Sequence, residues 1–205
     1  MFATNKLSVS FQQCSIPTHV SHSFFKLVLP VQLLWLNLVT NGIQHVALAF
    51  EPGEGDVLMH RQRSPREPIF NRLMIERTLI GAFVMGGVCF ATFYWMLESG
   101  QSVSSARNFL LLLMVLFENI HIGNCRSESK SVFYLSLLRS PILLIGTLTA
   151  FLIHVLMMHI PLGKILLGTE VVNMQTWVMM ITLSLTVLVT MGIHKLIRSM
   201  QIQRH

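Results

Sequence analysis

Five apolar stretches, each close to the twenty or so residues a helix needs to cross a bilayer, leave this chain few ways to fold. They run from about Leu27 to Phe50, Leu79 to Leu97, Ala106 to Asn124, Ser140 to Met158 and Trp177 to Ile197. Only 12% of the 205 residues are charged and the mean hydropathy is +0.60. A soluble domain usually carries about a quarter charged residues, so the bilayer explains these runs best. They read as helices, because a lone spanning strand would leave its backbone groups unpaired in lipid. The expected fold is an all-α membrane protein of about five transmembrane helices.

The net charge of +6 raises nucleic acid as a partner. Its placement points away from one: the cations lie between apolar runs and make no patch or stripe. The lipid bilayer is the expected partner instead. Cys14, Cys89 and Cys125 form no C-x-x-C pair, which argues against a disulfide framework and a structural zinc site. Residues 1–26 lack the continuous apolar core of a secretory signal.

Five crossings sort the fifteen Lys and Arg residues into eleven on one side and four on the other. The rich side holds Arg61, Arg63, Arg66 and Arg72 of the 51–72 loop, together with Lys195 and Arg198 near the C-terminus. The positive-inside rule then predicts that this loop and the C-terminus are cytoplasmic, in the cell's inner (plasma) membrane. Tyr94 and Trp95 suit an aromatic belt at the opposite interface.

The first run is the unusual one. Asn37, Thr40, Asn41, Gln44 and His45 recur at helical spacing, which predicts a polar stripe on one face, with Gly42 beside it. A stripe facing lipid is costly, so it is expected to face other helices or a wet cavity. Two readings stand side by side: interhelical hydrogen bonding, or an ion path in which amide and hydroxyl oxygens and a backbone unwound at Gly42 replace a cation's water shell. The third run adds Glu118, about two turns before Arg126, followed by Asn119 and His121. A carboxyl at that depth is a functional-site hypothesis by default.

Other signals are weaker. His154 with His159, and His121 with Cys125, have spacings a transition metal can use but are more often incidental. Gly81, Gly86 and Gly87 permit close helix approach without forming G-x-x-x-G. Pro141 after Ser140 reads as a first-turn proline behind an N-cap.

The string LPVQLLWLNLVTNG (Leu29 to Gly42), followed by ALAFEPGEGD (Ala47 to Asp56), resembles the sixth transmembrane helix of P-type cation-transporting ATPases, calcium pumps and their bacterial relatives, and its cytoplasmic exit. FENIHIGNCRSES (Phe117 to Ser129) looks like the eighth helix and the loop after it. The resemblance covers residues 27–200, with 1–26 a leader outside it and 201–205 a cytoplasmic tail. It implies that the five spans correspond to helices six to ten of the pump membrane domain. In calcium pumps the sixth helix supplies an Asn, a Thr and an Asp to the ion sites and the eighth a Glu. The matching positions are Asn37, Thr40, Asn41 and Glu118. The departure is at Asn41, where an amide stands for a carboxylate and a formal charge is lost.

The phosphorylation string D-K-T-G-T and a Walker A motif do not occur in these residues, and no loop here exceeds about 22 residues, too short for a nucleotide domain. The expectation is a chain that hydrolyses no ATP alone and holds no cofactor, with a monovalent cation, a proton or no ion at all as its transported ligand and Mg-ATP confined to missing domains. Three accounts follow: a truncated pump, one half of a split pump that joins the missing N-terminal portion, or a non-enzymatic multi-pass interaction or regulatory module.

Overall fold

In the computed structural model, residues 28–50, 72–126 and 140–202 are described. Residues 1–27, with the expected leader, residues 51–71 with Arg61, Arg63 and Arg66, residues 127–139 and residues 203–205 of the expected tail lie outside them. Every regular element among the described residues is a helix. α1 (Pro30–Trp35), a π-helical segment (Leu36–Asn41) and α2 (Gly42–Ala49) follow one another without a break. After them come α3 (Arg72–Glu98), α4 (Val103–Cys125), α5 (Pro141–His159), α6 (Pro161–Leu167) and α7 (Met174–Ile202).

Four of these, α3, α4, α5 and α7, are long and apolar enough to cross a membrane, where the sequence predicts the second to fifth spans. The first predicted span is the composite run from Pro30 to Ala49, widened through its middle into a π-helix. The connection after α5, which the sequence shows only as a loop, contains α6. Pro161 starts that helix and left-handed Gly168 ends it, its N–H donating back to the Lys164 carbonyl.

The helix ends follow local chemistry. Ser102 caps α4, its hydroxyl accepting from the Ser105 N–H at 3.1 Å. Pro141 does sit in the first turn of α5, but the Ser140 hydroxyl makes no cap bond and is buried without a protein partner. The side-chain cap expected at Ser140 is therefore not made, and Pro141 only removes one N–H that would need an acceptor.

α4 is the centre. Half of its most apolar window is buried, against 22–28% for α3, α5 and α7. Its leucine run is enclosed from both sides. Leu110, Leu112, Leu113 and Phe117 pack with Phe93 of α3 and with Met180, Val187 and Met191 of α7. Leu111 and Val115 pack with Leu36, Met157 and Leu167. The outer helices turn leucine and isoleucine outward: Ile142, Ile145, Leu148, Leu152 and Leu156 form an exposed stripe on α5. Lipid is as apolar as these side chains, so packing and hydrogen bonds, rather than escape from water, hold the helices together. α7 satisfies its hydroxyls internally: Thr182, Ser184, Thr186 and Thr190 each donate to a carbonyl three or four residues back.

The first helix is seated at two close approaches. Gly146 of α5 lies so near α2 that an added Cβ would come within 2.7 Å of the Ala47 Cβ. Gly163 turns the chain from α5 into α6 so tightly that a Cβ would collide with the Met157 carbonyl. The second of these turns brings the end of α6 to Gln32, which donates to the Leu167 carbonyl at 2.7 Å. Among the second-span glycines, Gly81 packs beside Met191, while Gly86 and Gly87 have open space where a Cβ would stand.

Candidate functional site

Polar groups of the first helix meet α4 in its C-terminal half. Asn41, the last residue of the π-segment, donates from Nδ2 to Glu118 Oε1 at 3.1 Å. One turn on, Gln44 donates from Nε2 to Asn119 Oδ1 at 2.9 Å. Asn119 in turn donates to the Val115 carbonyl at 2.7 Å, which fixes its amide plane. Thr40 and Gln44 are fully buried, and Asn41 and Glu118 half-buried. Glu118 sits about 10 Å along α4 from its end at Cys125.

The π-segment explains which groups point inward. In an α-helix, residues four apart drift forward round the axis, because a turn takes 3.6 residues. A wider π turn reverses that drift. Gln32, Leu36, Thr40 and Gln44 are consequently all buried in one row, although they are four apart throughout. The backbone at Gly42 is helical rather than unwound, its N–H donating to the Asn37 carbonyl five residues back. Segments of this kind are frequent at functional sites.

Of the four positions picked from sequence, the structure joins Asn41 to Glu118 and buries Thr40 on the same wall. Asn37 is exposed on the outer side of the helix, as is His45. The stripe expected on one face is thus divided, since the π turns rotate Asn37 away from the buried row. Gln44, Asn119 and Gln32 are the contacts that the choice of site residues passed over. Four-residue spacing and the Glu118-Asn119 adjacency were the available signals, but they gain meaning only once a π-helix is known.

Two oxygens stand out. Glu118 Oε2 and Thr40 Oγ1 are buried and have no hydrogen-bond partner in the protein. Buried polar atoms are nearly always satisfied, so an orphaned carboxylate oxygen next to an amide-held one has the chemistry of a ligand for a proton or a hard cation. The histidine pairs gain less support. His154 is buried with neither ring nitrogen bonded to protein, whereas His159 is exposed, its Nδ1 2.8 Å from the Val155 carbonyl. Among the described residues no three His, Cys, Asp or Glu side chains gather as a metal site.

Residues 25–197 match the family described as "Cation transporting ATPase, C-terminus". The chain is 26% identical over 151 residues to the "Probable cation-transporting ATPase F" of Mycobacterium tuberculosis, covering 74% of this chain and 17% of that protein. It is 27% identical to the "Calcium-transporting ATPase" of Bacillus subtilis, covering 77% of this chain and 18% of the relative. It is also 27% identical to the human "Calcium-transporting ATPase type 2C member 2", covering 78% and 17%. The chain therefore spans less than a fifth of the length of these relatives. With its long apolar helices and a match over most of its length, this multi-pass membrane protein belongs to the cation-transporting ATPase C-terminal family.

Proposed function

We propose that this chain forms one wall of a cation or proton path in a P-type pump, working with a partner portion that carries the phosphorylation and nucleotide domains. The observation that carries the reading is the contact between Asn41 and Glu118, with the unpartnered Glu118 Oε2 beside it and the Thr40 hydroxyl on the same helix. Asn37 and His45, with exposed Leu34, Leu38 and Val46, line the open side of the first helix. That side is where companion helices of the pump would dock, and Asn37 would then join the path from across the helix. The amide at Asn41 leaves Glu118 as the one carboxylate of this wall, which favours a proton or a weakly held cation over tightly bound calcium. The chain would lie in the plasma membrane with its arginine-rich end and C-terminus in the cytoplasm, as the eleven-to-four charge division supports.

The test is co-expression with the N-terminal portion of a bacterial calcium-transporting relative, followed by cation-stimulated ATPase assays in membranes. Glu118→Gln is expected to raise the cation concentration for half-activation at least about tenfold, equivalent to about 1.4 kcal/mol. If Glu118→Gln and Asn41→Ala both leave that concentration unchanged in an active complex, the stripe is packing glue, and the non-enzymatic module is the better description.

A further inference from the structure

A buried imidazole stands opposite the first helix, on α5. Gly146, Ala150 and His154 are four residues apart and share one face of that helix. Gly146 seats against Ala47, and a Cβ added to it would also lie 3.7 Å from Ile43 Cγ2. Farther along α5, Met157 packs in one cluster with Leu36. These two pairings fix an antiparallel register in which His154 is level with Val39 and Thr40 of the π-segment. On α4 the same level is Val115, which joins that cluster one turn, about 5 Å, before Glu118.

Three helices thus bring buried polar atoms within about one turn of one another. Thr40 and His154 are 0% and 1% exposed. Thr40 Oγ1, both ring nitrogens of His154 and Glu118 Oε2 have no hydrogen-bond partner in the protein. A buried imidazole normally holds a partner, because it presents a donor at one nitrogen and an acceptor at the other. The packing beside it is slight: Ala150, fully buried, gives α5 only a methyl group there, and the π turns make the first helix wider than an α-helix. Charge is scarce as well. The π-segment has no titratable side chain, His45 of α2 is exposed, and Lys164 of α6 is paired with Glu170 at 3.0 Å. On α4 the group nearest this level is Glu118 itself.

We propose that Thr40, His154 and Glu118 enclose a site for internal water between the π-segment, α4 and α5. Water matches this set because it donates and accepts at once, and a buried water commonly satisfies about three polar groups. One or two molecules there connect Glu118 Oε2 to an imidazole that passes a proton from one nitrogen to the other. That proton step rests on the ion-path reading; the water site does not. α5 then forms a third side of the path, through a histidine that the sequence offers only as half of a metal pair.

X-ray hydroxyl-radical footprinting tests the site, since radicals formed from a trapped water oxidise the side chains that touch it. The full chain in maltoside detergent is irradiated, and oxidation is read by peptide mass spectrometry. His154 is expected to be oxidised within about tenfold of the rate of exposed His159, while Met180, 0% exposed among apolar side chains, stays unmodified. Thr40→Val removes one partner of the water and Ala150→Val fills the space beside it. Each should lower His154 oxidation at least about fivefold, whereas Thr40→Ser keeps the hydroxyl and should retain it. His154 as unreactive as Met180, or equally oxidised in the wild type and both valine variants, overturns the proposal. The footprint is independent of ATPase activity, so a failed Glu118→Gln assay removes the proton step and leaves the water in place.

Discussion

Asn41 and Glu118 show how much one side-chain contact can decide in a membrane interior. Glu118 has one oxygen held and one without a protein partner, so removing its amide leaves the whole carboxyl unsatisfied. Asn41→Ala is expected to destabilise the purified chain by about 1–3 kcal/mol, read as an earlier thermal unfolding midpoint in detergent. Gln44 and Asn119 form a neutral pair, and neutral pairs behave differently. Replacing either alone orphans its partner, whereas Gln44→Leu with Asn119→Leu removes both. The double variant should therefore melt no lower than the worse single variant, with a coupling of about 0.6 kcal/mol. A strictly additive loss would show that these amides are not paired.

At the scale of the element, the π-segment and the close approaches do the positioning. Deleting Val39 from the Leu36–Asn41 segment removes the residue that the wide turn accommodates. A regular helix then rotates Gln44 relative to Gln32, so the two anchors at Leu167 and Asn119 can no longer be reached together. The measurable result is loss of a cross-link: cysteines replacing Asn41 and Glu118 should be bridged by a short bis-maleimide reagent in the full-length chain and not after the deletion. Gly146→Leu tests the approach of α5 to α2, because even a Cβ there comes within 2.7 Å of Ala47. Forced separation of packed elements typically costs about 1–3 kcal/mol, and limited proteolysis near Phe50 should become faster. Unchanged proteolysis would mean that α5 does not hold the first helix.

For the whole molecule, the arrangement is a central helix enclosed by others, with α4 buried on both sides and leucine stripes turned outward on α5 and α7. The first helix is attached by polar contacts at both ends, Gln32 to Leu167 and Gln44 to Asn119, and keeps an exposed outer side. That polar outer side, with Asn37 and His45 on it, is where the proposed partner portion is expected to dock. Orientation is tested by reporters. A green fluorescent protein fused after His205 should fluoresce, and alkaline phosphatase inserted at Gly100 should be active. The reverse pattern would place the arginine-rich end outside.

Sequence alone determined the spans, since long apolar runs with at most two charges have no other stable form in lipid. It also determined the family, through the Leu29–Gly42 and Phe117–Ser129 strings, and the presence of carboxyl and amide groups at bilayer depth. It could not show which amide meets which carboxyl. Helical spacing predicts a face only if the turn is regular, and Leu36–Asn41 is not. The third dimension decided that Asn41 faces Glu118 while Asn37 faces outward. It placed α6 in an apparent loop and brought Thr40, Glu118 and His154, from three helices, to neighbouring levels of the bundle with unpartnered polar atoms. These are pairings across 75 or more residues of sequence, or between separate helices, set by packing that no local pattern encodes.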